Sequence, residues 1–383
     1  MTITSPQGFQ ASGIACGLKS SGAPDLALVR NEGPQFTAAG VFTANRVQAA
    51  PVQYTKKILV NGALKAIVLN SGGANACTGV PGYQDTIDTA EQVANALSID
   101  ADQVAVCSTG LIGERLPMPA LLAGVQMAST QLRADGGHDA AEAILTTDSK
   151  AKTVNHAAEN YTIGAMAKGA GMLAPSLATM LVVITTDAAI AAADADKALR
   201  QAVLHTFDRL DSDGCMSTND TVLLLANGAS GHTPALSDFT EQLTAVCADL
   251  SAQLMSDAEG STKDVIITVT QAATEAEAVE VARAIARNNL LKCALFGNDP
   301  NWGRVLAAIG TTTATFDPDQ LDVAINGSWV CEGGAAAADR STVDLGGREI
   351  NITARLNAGP AQATVFTNDL SHAYVHENSA YSS

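Results

Sequence analysis

Thr179 stands where a glycine- and proline-punctuated lead-in meets an apolar run, in KGAGMLAPSLATMLVVITTDA at residues 168–188. A threonine hydroxyl is a weak nucleophile until a base sits beside it. If the Ala178–Thr179 bond is cut, the new α-amino group of Thr179 is that base, with a pKa of about 7.7–8.0 for a free amino terminus. Nucleophile and base then come from one residue, and no histidine is required. Cutting needs the Thr179 hydroxyl to attack the Ala178 carbonyl, which creates an oxyanion that must be met by donors. The small residues Gly169, Gly171, Ala174 and Ala178 let the backbone bend without clashing. The same string also reads as an ordinary loop entering a core strand, and locally both readings stand.

Other constellations fail on spacing. DSDGCMSTNDTV carries Asp211, Asp213 and Asp220, but its glycine is fourth and its twelfth residue is Val222, so it is not a calcium loop. GGANACTG is neither a P-loop nor a dinucleotide fingerprint, and neither H-E-x-x-H nor G-x-S-x-G occurs. His372 and His376 are four apart in a segment that reads as extended, so a shared metal is not expected.

The formal net charge of −17 argues against nucleic acid or an anionic membrane as partner and favours small molecules. Anionic ligands would then need a few local cations. The seven cysteines are odd in number and lack C-x-x-C spacing, which fits reduced thiols rather than disulfides or a zinc knuckle. With no signal-like N-terminus and no apolar run near the roughly 20 residues that span a bilayer, a soluble, cytoplasmic protein is expected.

The elements that must position Thr179 are short apolar strands and amphipathic helices. KAIVLN, QVAVCS, MLVVITTDA, TVLLLA, DVIITVT and LDVAIN read as strands, mostly buried on both faces. TIDTAEQVANALSI, DADKALRQAVLHTFDRL, FTEQLTAVCADLSAQLMSDAEG and EAEAVEVARAIARNNLLKCALF read as helices. GHTPALSD and CEGGAAAADR read as surface loops. Layered α/β architecture follows, without a strict βαβ rhythm.

Together with GFQASGIACGLK, NSGGANACTG, CSTGLIGERLPM, TTDSK, STNDTVLLLANG, DAEGSTK, GNDPNWGRVLAAIG and YVHENSAYSS, the K-G-x-G-M-x-x-P-x-x-A-T-M-L string resembles the glutamate N-acetyltransferase (ornithine acetyltransferase) family of arginine biosynthesis. The resemblance spans essentially the whole chain. It implies a self-processing, N-terminal-nucleophile-like α/β fold, not a Rossmann fold. It implies cleavage at Ala178–Thr179 into an α chain of residues 1–178 and a β chain of 179–383, a processing boundary rather than a domain boundary.

On that resemblance Thr179 accepts the acetyl group, and Thr109 and Gly110 form the oxyanion hole. Substrate contacts fall to Thr146 (preferred over Thr147), Lys168, Thr179, Glu259, Asn378 and Ser383. Lys168 suits an α-carboxylate, Glu259 an amino group. GNDPNWGR is given a structural role, which leaves Arg304 outside the substrate set. The family commonly has Asn where this chain has Gly73, so Gly73 is given no functional role. The implied activity is ping-pong acetyl transfer from N2-acetyl-L-ornithine to L-glutamate, without metal or cofactor, in an assembly of two α and two β chains. Acetyl-CoA as a further donor is left open. The alternative is a self-processing amidohydrolase or aminopeptidase that passes the acyl group to water.

Overall fold

The structure, a computed structural model, describes residues 2–174 and 180–380 and contains three sheets. Phe9–Ile14 (β1), Leu26–Asn31 (β2), Ala66–Asn70 (β4) and Val104–Ser108 (β5) form the first, in that order. Thr37–Phe42 (β3), Thr221–Ala226 (β9), Leu181–Thr186 (β8), Thr162–Lys168 (β7) and Lys152–Ala157 (β6) form the second. The third runs Ala335–Ala336 (β13), Ser328–Glu332 (β12), Asp322–Ile325 (β11), Glu349–Arg355 (β14), Asp264–Ala272 (β10) and Ala361–Asn368 (β15).

The second sheet is a middle layer. Leu181 and Val183 of β8 join the core of the first sheet, which also takes in the helices Ala50–Ile58 (α1), Gly79–Leu97 (α2), Met118–Thr130 (α3) and Gly137–Ala143 (α4). Val182 and Ile184, one residue out of phase, enter a second core with Ala192–His205 (α5) and Leu236–Ser256 (α6). Each such side chain contributes about 1.5–3 kcal/mol on burial. This two-sided burial is why MLVVITT shows no polar alternation. A third core joins the third sheet to Glu275–Ala286 (α7), Asn289–Phe296 (α8) and Trp302–Ile309 (α9). His372–Ala380 (α10) ends the described chain. Mixed and antiparallel pairing makes this an α/β fold that is not of the Rossmann type.

Several expectations are corrected. EAEAVEVARAIARNNLLKCALF is two helices, because the Asn288 side chain accepts the Leu291 N–H and caps a new start. DVIITVT in β10 alternates between buried and half-buried positions, since only one face meets the third core. CEGGAAAADR is a hairpin between β12 and β13 that turns on Gly333 and Gly334, both at positive φ. GHTPALSD gives way to helix at Leu236. The segment holding His372 and His376 is helical: Ser371 Oγ accepts the Tyr374 N–H and starts α10. Among the described residues no helix is long and apolar enough to cross a membrane.

β7 and β8 are antiparallel neighbours, with Lys168 opposite Leu181. The 178/179 boundary therefore lies in the connection between two paired strands. It does not separate one core from another.

Candidate active site

The ends of the paired strands meet loops from far along the chain at one cleft. β5 runs out into Thr109 and Gly110, and β7 ends at Lys168. The Thr109 N–H donates to Asn70 O at 2.9 Å, and Thr109 O accepts the Gly73 N–H at 3.0 Å. Asn70 Nδ2 donates to Gly73 O at 2.9 Å, tying the two turns together. Thr109 can thus offer an oxyanion its hydroxyl but not its backbone N–H. Among the described residues the Gly110 N–H meets no acceptor. Gly110 sits at φ +130°, and a Cβ there would lie 2.7 Å from Gly73 N. Gly73 itself is not at positive φ, so backbone freedom does not explain it. A Cβ at Gly73 would instead meet Leu116 Cδ2 at 2.8 Å, so the missing side chain makes room for Leu116.

Lys168 is buried, and its Nζ donates to Thr109 Oγ1 at 3.3 Å. A cation feeding one lone pair leaves the hydroxyl proton free to point elsewhere and makes it a better donor. Burial pushes the Lys168 amine below its usual range, against the pull of Asp148. Asp148 also meets Lys152 Nζ at 2.6 Å and accepts the Gly169 N–H at 2.6 Å, while Lys152 reaches Asp257 at 2.6 Å. Burial would raise the Asp148 carboxyl, but Lys168 and Lys152 overcome it and hold the pKa at about 2. Asp148 is thus the centre of a buried charge network that anchors both the strand end after Lys168 and the loop carrying Thr146.

Glu259, from the turn after α6, forms another wall. Its carboxylate accepts from Thr147 Oγ1 at 2.7 Å and from Asn378 Nδ2 of α10 at 2.9 Å. Gly171 makes room for it: a Cβ there would stand 2.7 Å from both carboxylate oxygens. Thr146 lines the cleft too, but its N–H and hydroxyl turn to Asp148. The contact to Glu259 belongs to Thr147, the neighbour that the sequence reading placed second.

Thr109, Gly110, Thr146, Lys168, Glu259 and Asn378 are therefore brought to one cleft. Ala178, Thr179 and Ser383, with the cleavage junction, lie outside the described residues. Of the described residues before the junction, Gly171 and Met172 line the cleft. Arg304 donates Nη1 to Leu290 O at 2.5 Å and does not line the cleft. Ser217, Thr218 and Asn219 do, and residue types alone gave them no role. Asn219 Nδ2 donates to Ala74 O at 2.6 Å and Ser108 O at 2.8 Å, clamping the walls on either side of Thr109. The density of small hydrogen-bonding types in STNDT was the available signal.

Comparison with known proteins follows the same lines. The family model of the ArgJ family matches residues 10–383. "Arginine biosynthesis bifunctional protein ArgJ" of Streptomyces coelicolor is 61% identical over 383 residues, covering 100% of both chains. The protein of that name from Mycobacterium tuberculosis is 58% identical over 389 aligned residues, covering 100% of this chain and 96% of the relative. A solved structure of ornithine acetyltransferase from M. tuberculosis, complexed with ornithine, is 55% identical; it covers 47% of this chain and 96% of its own, with a TM-score of 0.45. The L-aminopeptidase D-Ala-esterase/amidase of Ochrobactrum anthropi is 13% identical, covering 67% of this chain and 86% of its own, with a TM-score of 0.38. With a family match over nearly its whole length and relatives about three-fifths identical from end to end, the chain belongs to the ArgJ family.

Proposed function

We propose that the protein transfers the acetyl group of N2-acetyl-L-ornithine to L-glutamate in arginine biosynthesis, through acetyl-Thr179, after cutting itself at Ala178–Thr179. The observation that supports this reading is the single cleft that gathers Thr109, Gly110, Lys168, Glu259 and Asn378 together with Gly171 and Met172, the described residues that precede the junction.

In the first half-reaction the Thr179 hydroxyl oxygen bonds to the acetyl carbon and its proton passes to the Thr179 α-amine. The oxyanion takes the Thr109 O–H, which Lys168 polarises, and the Gly110 N–H. The C–N bond of the amide then breaks, and the ornithine nitrogen leaves with the proton from the α-ammonium. In the second half, the glutamate amine attacks the ester carbon, its proton goes to the α-amine, and the threonine oxygen departs to recover it. Each donor to the oxyanion contributes about 2.7–4 kcal/mol to lowering the barrier. Glu259, held by Thr147 and Asn378, receives a substrate amino group. The Nζ protons of Lys168 not spent on Thr109 serve a carboxylate, and Thr146 and Ser383 complete the contacts.

The relatives' printed name, "bifunctional", is the reason to extend the reading to acetyl-CoA as a second acetyl donor for glutamate. Two α and two β chains, working in the cytoplasm, complete the proposal. Intact-mass measurement before and after brief exposure to N-acetylornithine tests it. Two chains are expected, the second beginning at Thr179 and gaining one acetyl group. A single uncut chain, or acetate release unaffected by glutamate, overturns the transferase reading.

A further inference from the structure

Asp220 immediately precedes β9 and is fully buried, yet the mechanism above does not use it. β8 and β9 pair in parallel from Leu181 opposite Thr221, so Asp220 occupies the position beside Met180. Here the side chain extends the ladder. Asp220 Oδ1 accepts the Met180 N–H at 3.0 Å, and the Thr221 N–H donates to Met180 O at 3.2 Å. The Asp220 backbone is held in turn, its carbonyl accepting the Thr43 N–H at 3.0 Å. The amide nitrogen so gripped is bonded directly to the Thr179 carbonyl carbon. Asp220 Oδ2 is buried without a well-formed hydrogen bond, and the Ser217 side chain lies close enough to pull the acid down.

An ionised carboxylate held mainly by one amide donor is a costly thing to bury. The Met180 amide and the Ser217 side chain favour the charged form, Lys168 on β7 attracts it through space, and Asp208 after α5 repels it. Burial outweighs these and lifts the Asp220 acid well above the carboxylate range.

We propose that Asp220 is a positioning residue for Thr179: through Oδ1 it fixes the Met180 amide, the group bonded to the threonine carbonyl, and so sets where the nucleophile is held. This rests on the Thr179 reading proposed above. A residue with this role changes rate by misplacing the nucleophile, and displacement of about 1 Å costs on the order of 100-fold.

The test compares the full-length wild type with Asp220→Asn and Asp220→Ala, following appearance of the two chains by intact mass, then kcat and KM for acetyl transfer, with thermal melting as the fold control. The amide of D220N keeps an oxygen to accept the Met180 N–H. D220A is expected to lose at least 100-fold in cutting rate and in kcat, with KM within threefold, and D220N is expected to recover most of that loss. D220A indistinguishable from wild type overturns the proposal, as does D220N as impaired as D220A. If D220A does not fold, the D220N rate decides alone: within about tenfold of wild type supports the grip, and a larger loss overturns it. A wild type that remains one chain defeats the Thr179 reading before any variant is compared.

Discussion

Replacing Gly110 by alanine tests the oxyanion site most directly, because the structure separates two costs there. Gly110 sits at φ +130°, and its Cβ would fall 2.7 Å from Gly73 N, 2.9 Å from Gly73 Cα and 3.2 Å from Gly72 C. All three are backbone atoms, so no side chain can swing aside. The backbone conformation alone costs about 1–3 kcal/mol for a residue with a Cβ. Forcing a methyl into packed surroundings adds about 1–3 kcal/mol. The 2–6 kcal/mol expected in sum, about what these two terms allow, is a large part of an ordinary domain's stability of about 5–15 kcal/mol. The turn is expected to yield by breaking the Gly73 N–H to Thr109 O bond, which carries the Gly110 N–H away from the oxyanion. Losing that donor removes a further 10²–10³ in kcat, about 2.7–4 kcal/mol of barrier.

Gly113→Ala supplies the control, since Gly113 lies at φ +95° with nothing within 4 Å of its added Cβ. It incurs the backbone strain without the collision and leaves the donor in place. Melting temperatures and kcat for acetyl transfer from N-acetylornithine to glutamate should fall in the order wild type, G113A, G110A, with G110A down at least 100-fold in kcat. A G110A protein that melts with G113A and keeps kcat within threefold of wild type refutes the reasoning.

Glu259→Gln keeps the shape that Thr147 and Asn378 hold but removes the charge. A charged hydrogen bond to an amino group contributes about 1.5–3 kcal/mol, so KM should rise at least tenfold with kcat falling less; unchanged KM removes Glu259 from binding. Asp148, held at about 2, contributes stability that is present above its unfolded value of about 3.9 and is lost as pH falls through about 2. Denaturant unfolding of Asp148→Asn should therefore show about 2–3 kcal/mol less stability at pH 7 and a flatter dependence between about pH 4 and 2. Asp211 has the opposite sign: burial lifts it to about 6 despite Arg287, so its contribution is present below about pH 4 and lost as pH rises through about 6. Asp211→Asn should flatten the pH 4–6 slope of the same curve, and an unchanged slope would count against the assigned burial.

The strands KAIVLN, QVAVCS, MLVVITT and TVLLLA were legible because sheets buried on both faces demand continuous apolar runs. FQASGI, KTVNHA, EINITAR and AQATVFTN were not. Their polar and small residues weaken the alternation, and three of these strands, β1, β6 and β15, are sheet edges. The break between α7 and α8 was missed for a different reason. Its apolar periodicity carries through Arg287 and Asn288, and the cap that ends it is one side chain.

Thr179 could be singled out because the proposed chemistry needs only one residue and its own amino group, which puts the signal in a contiguous string. The supporting groups carry no such signal, because what each one does depends on a partner elsewhere. Lys168 invites reading as a carboxylate receptor in a chain of net charge −17, yet burial brings it to Thr109, 59 residues away, and to the field of Asp148. Asp220 belongs to a string that invites comparison with a calcium loop, yet it grips an amide 40 residues upstream. Residue type alone shows neither contact: the lysine also reaches a hydroxyl, and the aspartate, its acid raised by burial, holds a backbone amide. The global charge therefore says little about the cleft: Lys152 meets Asp148 and Asp257 at 2.6 Å each, Asp148 also feels Lys168, and Glu259 is left to face a ligand.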